Sequence, residues 1–363
     1  MRIIISGGGT GGHIFPALAI AGALRQERPD VELLFVGAEG RMEMEKVPAA
    51  GYPIVGLPVV GIERKILSAK NLSAPAKLLT SLRRAAGIIR TFAPDAVVGV
   101  GGYASAPTLW TAQRKGIPTI IQEQNSYAGL TNRLLARRAA KICVAYEGME
   151  RFFPKEKIIF TGNPVRQDLR SVASLRSEAV AHFGLRPDRK TILIVGGSLG
   201  ARTLNASVLR HLNAVEAAAG VQLIWQTGEY YRRRVGDELA GRACGNVVVT
   251  SFISRMDYAY AAADVVVSRA GASAIAELCV ARKPCILVPS PNVAEDHQTA
   301  NAMALVRKNA ALLLPDGQAL EQLIPLALRL ANDGEQQREL ERNIGALAIE
   351  NAAEQIAKIA ISY

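Results

Sequence analysis

Short runs of consecutive apolar residues alternate with Ala- and Leu-rich segments along most of the chain. Apolar side chains occupy successive positions in these runs rather than every second one, as in a parallel sheet that is buried on both faces. Because helical segments separate the runs, the pattern predicts a doubly wound α/β fold. The predicted strands form two series: 2–6, 32–36, 96–100, 119–122 and 141–145, then 191–195, 222–226, 247–251, 264–268, 285–289 and 311–314.

The two series form a loose internal repeat. Each series opens with a strand that runs into a glycine turn, at residues 7–12 and at residues 196–200. A second glycine turn follows late in each series, at residues 99–102 and 268–271. We therefore predict two Rossmann-like domains with a cleft between them. The first is residues 1–163, joined by a C-terminal helix at 340–363, and the second is residues 164–339.

Length, composition and charge narrow the class of protein. A chain of 363 residues suits two domains, and 49% hydrophobic with 21% charged residues is globular composition. The net charge of +11 favours an anionic partner: a nucleic acid, a phosphorylated metabolite or an acidic membrane surface. Only 5% of residues are aromatic, which disfavours a stacking surface for single-stranded nucleic acid.

Cysteines and apolar stretches indicate neither a redox site nor a membrane span. The four cysteines form no CxxC pair, so the sequence predicts buried thiols in a reducing compartment rather than a zinc or redox centre. The apolar start of the chain is too short for a signal peptide. No stretch offers the roughly 20 apolar residues that a transmembrane helix needs.

The first glycine turn has the composition of an anion site. Five of residues 7–12 are glycines, between a predicted strand and a predicted helix. Glycine lets the backbone approach an anion closely, and the N–H groups and dipole of a helix start favour diphosphate oxygens. A tight turn without a ligand is the alternative. His13 follows directly, either as a general base or as a residue that caps the helix or binds phosphate.

The same turn also matches GxGxxG, and Glu39 follows the next predicted strand. An NAD-dependent oxidoreductase that uses residues 7–12 is therefore a competing interpretation. A single dinucleotide site would leave the second glycine turn, at 196–200, unexplained. The chain has neither GxxxxGK[ST] nor Asp-x-Asp, so neither a P-loop nor a metal-held nucleotide diphosphate is indicated.

Seven motifs, in order along nearly the whole chain, resemble those of the MurG family of bacterial UDP-N-acetylglucosamine transferases in glycosyltransferase family 28. The resemblance implies the two-domain GT-B fold. The motifs are GGTGGHIFP at 8–16, GGY at 101–103, EQN at 123–125 with AGLTN at 128–132, GNPVR at 162–166, GGSLGAR at 196–202, RAGA at 269–272 continuing to Glu277, and DHQ at 296–298 with NA at 301–302.

The resemblance implies an inverting sugar transfer in peptidoglycan synthesis. N-acetylglucosamine would pass from UDP-N-acetylglucosamine to the C4 hydroxyl of the muramoyl unit of undecaprenyl-diphospho-N-acetylmuramoyl pentapeptide, turning lipid I into lipid II. It implies no cofactor, no metal and no nucleic acid, with cell-wall synthesis proteins as candidate partners. The implied location is peripheral, on the cytoplasmic face of the bacterial plasma membrane. A diacylglycerol sugar transferase and a non-catalytic nucleotide-sugar-binding module are the alternatives closest to this interpretation.

The resemblance also assigns roles to residues of this chain. His13 is the candidate base. Gln122 and His297 depart from the family pattern, which has His at the first position in many members and Gln at the second in some. The implied acceptor-binding residues are Gly8, Gly9, Gly101, Gly102, Tyr103 and Glu123. The implied donor-binding residues are Thr10, Gly11, Gly12, Asn125, Arg166, Ser198, Ile253, Ala272, Ser273, Ala274, Ile275, Ala276, Glu277 and Gln298.

Residues 62–92 are the candidate for contact with an anionic membrane. An apolar stripe with basic borders is typical of a helix that lies in the membrane interface. The alternative is an ordinary amphipathic helix that packs on its own sheet; a lipid-linked acceptor favours membrane contact. At helical spacing the apolar stripe would be Leu78, Leu79, Leu82, Ala86 and Ile89, and the bordering cations would be Lys77, Arg83, Arg84 and Arg90.

Overall fold

The computed structural model describes residues 1–59, 69–197, 199–242, 245–293 and 296–363, with the backbone alone at 69–74. It divides into two compact units. The first unit is Met1–Arg166 together with Ile349–Tyr363, and the second is Gln167–Ala348. The predicted division after residue 163 therefore differs by three residues from the one observed.

Thirteen described strands form two sheets, and every strand pair in both sheets is parallel. The strands are β1 (Arg2–Ser6), β2 (Glu32–Ala38), β3 (Ile54–Leu57), β4 (Ala96–Gly99), β5 (Thr119–Glu123), β6 (Lys141–Val144), β7 (Ile158–Phe160), β8 (Lys190–Val195), β9 (Val221–Gln226), β10 (Val247–Thr250), β11 (Val265–Ser268), β12 (Cys285–Leu287) and β13 (Leu312–Leu313).

Helices separate most of the strands, as the predicted fold requires. The helices are α1 (Gly11–Glu27), α2 (Glu43–Ala49), α3 (Ala69–Phe92), α4 (Ala106–Arg114), α5 (Leu130–Leu135), α6 (Arg176–His182), α7 (Arg202–Arg210), α8 (Leu212–Ala217), α9 (Arg232–Leu239), α10 (Met256–Ala262), α11 (Ala272–Val280), α12 (His297–Val306), α13 (Asp316–Asn332), α14 (Gly334–Gly345) and α15 (Ala352–Ile361).

The strand order explains why the glycine turns come in pairs. The seven-stranded sheet of the first unit has the order β3-β2-β1-β4-β5-β6-β7, and the six-stranded sheet of the second has the order β10-β9-β8-β11-β12-β13. The order reverses between β1 and β4 in one sheet and between β8 and β11 in the other. Ligands of such sheets bind beyond the carboxyl ends of the strands at this switch point. The glycine turns predicted after β1, β4, β8 and β11 all lie there.

Helices cover both faces of the first sheet, so its central strands are buried throughout. One core places α1 and α15 against Ile3, Ile5 and Val98. The opposite core places α3, α4 and α5 against Ile4, Val97 and Ile121, the alternate side chains of the same sheet. This two-sided burial is the reason that the central strands appear in the sequence as unbroken apolar runs. The prediction of two Rossmann-like parallel-sheet domains is confirmed.

Two features differ from the sequence prediction. The sequence does not predict β3 and β7, the edge strands of the first sheet, because they span only four and three residues and are only partly buried. The predicted helix at 340–363 is two helices: α14 packs in the core of the second unit through Leu340, and α15 packs on α1 in the first. Ile349 lies between them and packs against Gly162, where a Cβ atom would come within 2.8 Å of it.

Candidate active site

The buried carboxylate of Glu43 is hydrogen-bonded to the backbone of the first glycine turn. Gly9, with φ of +89°, donates its N–H to both carboxylate oxygens of Glu43, at 3.0 and 3.1 Å. Ala38 at the end of β2 donates to the same carboxylate at 3.0 Å. Glu43 is 1% exposed, and a Cβ atom on Gly8 would lie 2.0 Å from its Oε1 atom. Only glycine therefore fits at position 8 without displacing the carboxylate.

The predicted contacts at the start of α1 face outward. Thr10 and Gly12 are exposed, and Gly11 is partly exposed. The backbone N–H groups of His13 and Ile14 donate to the carbonyl of Thr10, which begins the helix. The positive end of the dipole of this 17-residue helix therefore opens to solvent at the predicted anion site.

The two glycine turns of the first unit meet around His13. Gly101 and Gly102 both have positive φ, at +88° and +76°. A Cβ atom on Gly102 would lie 2.5 Å from the carbonyl oxygen of Gly8 and 3.1 Å from Cδ2 of His13, and one on Gly101 would lie 3.2 Å from Cε1 of His13. The imidazole ring therefore packs directly against the second turn.

The phenol of Tyr103 lies over the first turn, since a Cβ atom on Gly9 would be 3.4 Å from its ring. The structure thus brings Gly8, Gly9, Gly101, Gly102 and Tyr103, five of the six predicted acceptor residues, together at His13.

The surroundings of His13 favour the neutral imidazole. Burial lowers the pKa of His13 below its ordinary value, and the carboxylates of Glu123 and Glu43 oppose that shift only in part. The ring Nδ1 lies 3.1 Å from Oε1 of Gln124. A neutral imidazole is able to accept a proton at neutral pH, which is the property that a general base requires.

The carboxylate of Glu123, the sixth predicted acceptor residue, is hydrogen-bonded to other groups of the protein. Its carboxylate is 2% exposed and accepts N–H groups from the backbones of Asn125 and Gly129, both at 3.0 Å, and from Nδ2 of Asn132 at 2.9 Å. It therefore holds the loop that follows β5. Asn125, the predicted sugar contact in that loop, remains partly exposed.

In the second unit, one glutamine joins three loops at the carboxyl edge of the sheet. Gln226 accepts the N–H of Gly196 at 3.2 Å and donates from Nε2 to the carbonyls of Gly197 and Ser251, at 3.0 and 3.1 Å. These loops follow β8, β9 and β10. A Cβ atom on Gly200 would lie 2.0 Å from the carbonyl oxygen of Thr227, so the turn after β8 also packs tightly on its neighbour. Ser198, a predicted diphosphate contact, lies outside the described residues.

The remaining predicted donor residues divide between the two units. Ile253 lies between β10 and α10 and is 6% exposed. Residues 272–277 form the start of α11, where Ala272 and Ile275 are buried and the other four side chains are partly exposed. Oε2 of Glu277 accepts the hydroxyl of Tyr260 at 3.0 Å, which orients the carboxylate. Arg166, in contrast, is partly buried in the first unit.

An ion pair that the sequence analysis missed braces the same edge of the second sheet. Nη1 of Arg269 lies 2.6 Å from Oδ1 of Asp316 and also donates to the carbonyls of Val288 and Pro289. Thr203 on α7 donates to the other carboxylate oxygen of Asp316 at 3.0 Å. In the loop that follows β12, the backbone N–H of Ser290 donates to the side-chain oxygen of Gln298, a predicted sugar contact, at 2.8 Å. The loops after β11 and β12 are thereby fixed to the starts of α7 and α13.

The described part of helix α3 buries a different face from the predicted apolar stripe. Its buried line is Ser81, Ala85 and Ile89, whereas Leu78 and Leu79 are 50% and 51% exposed. The predicted stripe is therefore not the buried face of α3, which is rotated toward Ser81 and Ala85 and shares only Ile89 with the stripe. The predicted cations Lys77, Arg83, Arg84 and Arg90 are all exposed. Residues 62–68 of the predicted segment lie outside the described residues.

Further exposed apolar side chains lie on the neighbouring helices. Trp110 on α4 is 42% exposed, and the guanidinium of Arg114 lies over its ring at 4.9 Å. Leu130 and Leu134 on α5 are 67% and 74% exposed, one helical turn apart, with Arg133 exposed between them. Glu39, the acid expected at an NAD ribose, instead pairs with Arg84 at 2.5 Å.

The described residues offer neither a metal-binding cluster nor a membrane-spanning helix. Among the described residues, no group of three or more His, Cys, Asp or Glu side chains is placed to hold a metal ion. Within the same residues, no helix combines the length and the apolarity that crossing a bilayer requires.

Two Rossmann-like units with glycine turns at the switch points of their parallel sheets make up the GT-B fold. Models of the N-terminal and C-terminal domains of glycosyltransferase family 28 match residues 3–144 and 191–358. The chain therefore belongs to glycosyltransferase family 28, in the MurG group that the sequence motifs resemble.

Relatives and solved structures agree with this assignment. The UDP-N-acetylglucosamine–N-acetylmuramyl-(pentapeptide) pyrophosphoryl-undecaprenol N-acetylglucosamine transferase of Parabacteroides distasonis is 59% identical over 98% of this chain and 96% of its own length. The protein of the same name from Bacteroides fragilis is 56% identical over 99% of this chain and 94% of its own. The crystal structure of Acinetobacter baumannii MurG superposes with a TM-score of 0.78 at 29% identity, covering 100% of this chain and 99% of that one.

A more distant structure shares the fold alone. The UDP-GlcNAc 2-epimerase of Neisseria meningitidis, solved with bound UDP-GlcNAc, has a TM-score of 0.68 at 15% identity and covers 100% of both chains.

Proposed function

We propose that this protein transfers N-acetylglucosamine from UDP-N-acetylglucosamine to the C4 hydroxyl of the muramoyl unit of lipid I, which yields lipid II. The observation that carries the proposal is that His13, which directly follows the first glycine turn, packs its ring against Gly101 and Gly102 of the second. A candidate base and two anion-binding turns thus form one site. The substrates are those named for relatives that match nearly the whole chain at 56–59% identity.

The chemical step is a single in-line displacement. The neutral imidazole of His13 takes the proton of the acceptor hydroxyl while that oxygen bonds to the anomeric carbon of the donor. The bond from the anomeric carbon to the phosphate oxygen breaks, and its electron pair leaves with UDP. Attack opposite the leaving group inverts the anomeric centre. Fixed donors of the chain stabilise the charge that develops on the diphosphate.

Each unit contributes one part of this chemistry. In the second unit, the glycine turn after β8 takes the donor diphosphate, the backbone at Ile253 reads the uracil, and Glu277 holds the ribose hydroxyls. Arg166 adds an always-charged group for the diphosphate. In the first unit, the turns at Gly8–Gly9 and Gly101–Gly102 take the acceptor diphosphate. Because Glu123 is buried and fully engaged with its own loop, we assign it to positioning Asn125 rather than to direct contact.

Ligand binding and turnover test the assignment. UDP should raise the melting temperature of the protein, and NAD should not. Radiolabelled UDP-N-acetylglucosamine should label a lipid I analogue and leave diacylglycerol unlabelled. Binding of UDP without any turnover would instead indicate a non-catalytic binding module, and labelling of diacylglycerol would indicate the related lipid transferase.

Two substitutions separate the residue roles. His13→Ala should lower kcat by about 10²-fold or more and leave the affinity for UDP unchanged, because the base acts only in the chemical step. Glu277→Ala should chiefly raise the donor KM. An unchanged kcat in His13→Ala would assign the base to another residue.

We also propose that the first unit contacts the cytoplasmic face of the plasma membrane through the exposed side chains of α3, α4 and α5. Leu78, Leu79 and Trp110 supply exposed apolar area beside the four cations of α3. Each cation near an anionic leaflet contributes about 1 kcal/mol. Loss of all four should therefore weaken binding to anionic vesicles by about 10³-fold.

Co-sedimentation with anionic vesicles tests the membrane proposal. The variant changes Lys77, Arg83, Arg84 and Arg90 to Glu. The matched control changes four exposed arginines of the second unit to Glu: Arg210, Arg232, Arg233 and Arg234. Equal loss of binding in both variants would indicate attraction by net charge alone, and no loss in the first would remove α3 from the membrane contact.

A further inference from the structure

Three buried amide side chains form a hydrogen-bonded chain that ends on His13. Gln122, Gln124 and Asn163 are 0%, 2% and 5% exposed. Asn163 donates from Nδ2 to the backbone carbonyl of Gln124 at 2.9 Å, and Gln122 donates from Nε2 to Oδ1 of Asn163 at 3.0 Å. Gln124 donates from Nε2 to Oε1 of Gln122 and, at 2.6 Å, to the carbonyl of Val100. Its own Oε1 faces Nδ1 of His13 at 3.1 Å.

Backbone carbonyls fix the direction of this chain at two points. A carbonyl oxygen only accepts, so the group of Asn163 that faces the backbone of Gln124 must be its NH₂. The oxygen of Asn163 then faces Gln122, which must present its own NH₂ and turn its oxygen toward Gln124. Gln124 in turn must present NH₂ to Gln122, and the carbonyl of Val100 independently requires the same orientation.

The oxygen of Gln124 is therefore the atom that faces His13. If the amide of Gln124 were reversed, its oxygen would face two other oxygens, at Val100 and Gln122, with no proton to share. An amide oxygen requires a proton on the ring nitrogen that it faces. A half-turn of the ring would place Cδ2 rather than a nitrogen against this oxygen, so the hydrogen bond at Nδ1 fixes which way the ring faces.

We propose that Asn163 and Gln122, acting through Gln124, hold His13 as the tautomer with its proton on Nδ1, so that Nε2 keeps a free electron pair for the acceptor hydroxyl. All three amides are positioning residues. This inference rests on the proposed function in one respect only, the identity of the proton that Nε2 receives. The tautomer itself follows from the hydrogen-bond directions and is measurable without substrate.

The charged groups around the ring leave this arrangement intact. Glu123 and Glu43 are the two carboxylates whose charge acts on His13. Glu43 accepts N–H groups of Gly9 and Ala38, and Glu123 those of the loop after β5. Gln124 provides the side-chain acceptor at Nδ1, and the backbone carbonyl of Val100 is a further acceptor beside the ring; neither of these groups titrates.

Nitrogen-15 NMR of the histidine rings tests the proposal directly. The chain has only four histidines, and a His13→Gln variant identifies the resonances of His13. In the wild type, Nδ1 should show the shift of a protonated nitrogen and Nε2 that of an unprotonated one. Gln124→Met keeps the size of the side chain but removes the acceptor, so the spectrum should move toward a mixture of tautomers. Turnover should fall by about 10²-fold with little change in the donor KM.

Further variants grade the effect and control for folding. Gln122→Met leaves Gln124 with its Val100 contact and should shift the tautomer less than Gln124→Met. Gln124→Glu keeps an acceptor at Nδ1 but sets its second oxygen against the oxygens of Val100 and Gln122; its folded form should retain the Nδ1–H tautomer and raise the pKa of His13. The matched control is Gln113→Met: Gln113 also makes partly buried hydrogen bonds in the first unit, to Thr119 and Leu135, and should leave the His13 resonances unchanged.

The outcomes distinguish this inference from the proposed function. A wild-type spectrum with the proton on Nε2, or a Gln124→Met spectrum like that of the wild type, overturns the inference whatever the activity. If Gln124→Met moves the tautomer as expected but turnover is unaffected, the positioning chain stands and His13 is not the base.

Discussion

The buried carboxylate beneath the first glycine turn gives the sharpest test of how this site is held. Glu43 accepts the N–H groups of Gly9 and Ala38 at 3.0–3.1 Å and is 1% exposed. Glu43→Ala would leave the partly buried N–H of Gly9 and the buried N–H of Ala38 without their partner, at about 1–3 kcal/mol each, so the free energy of unfolding of the first unit should fall by about 2–6 kcal/mol. Glu43→Gln keeps one acceptor oxygen and loses the charge, which should cost about 1–3 kcal/mol.

Chemical denaturation measures this loss of stability in the first unit alone when it is followed by the fluorescence of a tryptophan in that unit. The chain has two tryptophans, Trp110 in the first unit and Trp225 in the second. In a common Trp225→Phe background, the fluorescence of Trp110 therefore follows the first unit alone. The matched control is Glu45→Gln, which removes the same charge from an exposed position on α2 and should change stability by about 0.5 kcal/mol or less.

Two results would refute this reasoning. The first is a Glu43→Ala variant as stable as the Glu45→Gln control, since the carboxylate would then not support the turn. The second concerns charge: because Glu43 opposes the lowering of the His13 pKa by burial, Glu43→Gln should lower that pKa further. An unchanged or raised pKa, read from the histidine NMR titration, would show that the carboxylate does not act on the ring.

Three other outcomes follow from the same structure. The pKa of His13 in the folded state lies below the unfolded value of 6.5, so the unfolded state binds the proton first as pH falls. Stability that is present above pH 6.5 is therefore lost as the pH falls toward the folded pKa. His13→Gln should lose less stability than the wild type between about pH 7 and pH 5, measured by denaturation at each pH. Tyr260→Phe removes the hydroxyl that orients Glu277 and should raise the donor KM several-fold with kcat nearly unchanged, as steady-state kinetics would show. Asp316→Asn removes the charge partner of Arg269 and should destabilise the second unit by about 1–3 kcal/mol, measured by the fluorescence of Trp225.

The sequence predicts the central strands and the glycine turns because burial on both faces leaves an unambiguous pattern. The central positions of β1 (Ile3–Ile5) and β8 (Ile192–Val195) are all apolar, and the turn that follows each strand is marked by several glycines. Edge strands lack that pattern, since one side is open to solvent, and β3 also contains Gly56. The sequence also does not show that the predicted C-terminal helix is two helices. The Ala- and Leu-rich link at 346–351 has helical composition, although it joins two different units.

The candidate site residues are easier to predict from the sequence than the residues that hold them in place. His13 and the glycines stand in contiguous motifs. Glu43 and Asp316, in contrast, are single acidic residues on amphipathic helices, and only the folded chain shows that they meet Gly9 and Arg269. Gln226 ends a predicted strand as an ordinary polar residue. The sequence holds one indication of the Glu43 contact, because the glycines of the first turn imply a close neighbour that leaves no space for a Cβ atom. It does not show that this neighbour is Glu43.

The return of the chain to its starting unit has a consequence for biosynthesis. The core of the first unit includes Ala353, Ile356, Ala357 and Ala360 of α15, which cover α1 beneath the His13 turn. A ribosome therefore releases the whole sequence of the second unit, 167–348, before it releases the helix that completes the first. At about 5–20 residues per second, the apolar side of α1 stays uncovered for many seconds after its own synthesis. Until α15 is made, the first unit therefore exposes the apolar side of α1, and this is the stage of synthesis at which we expect a chaperone to be needed most.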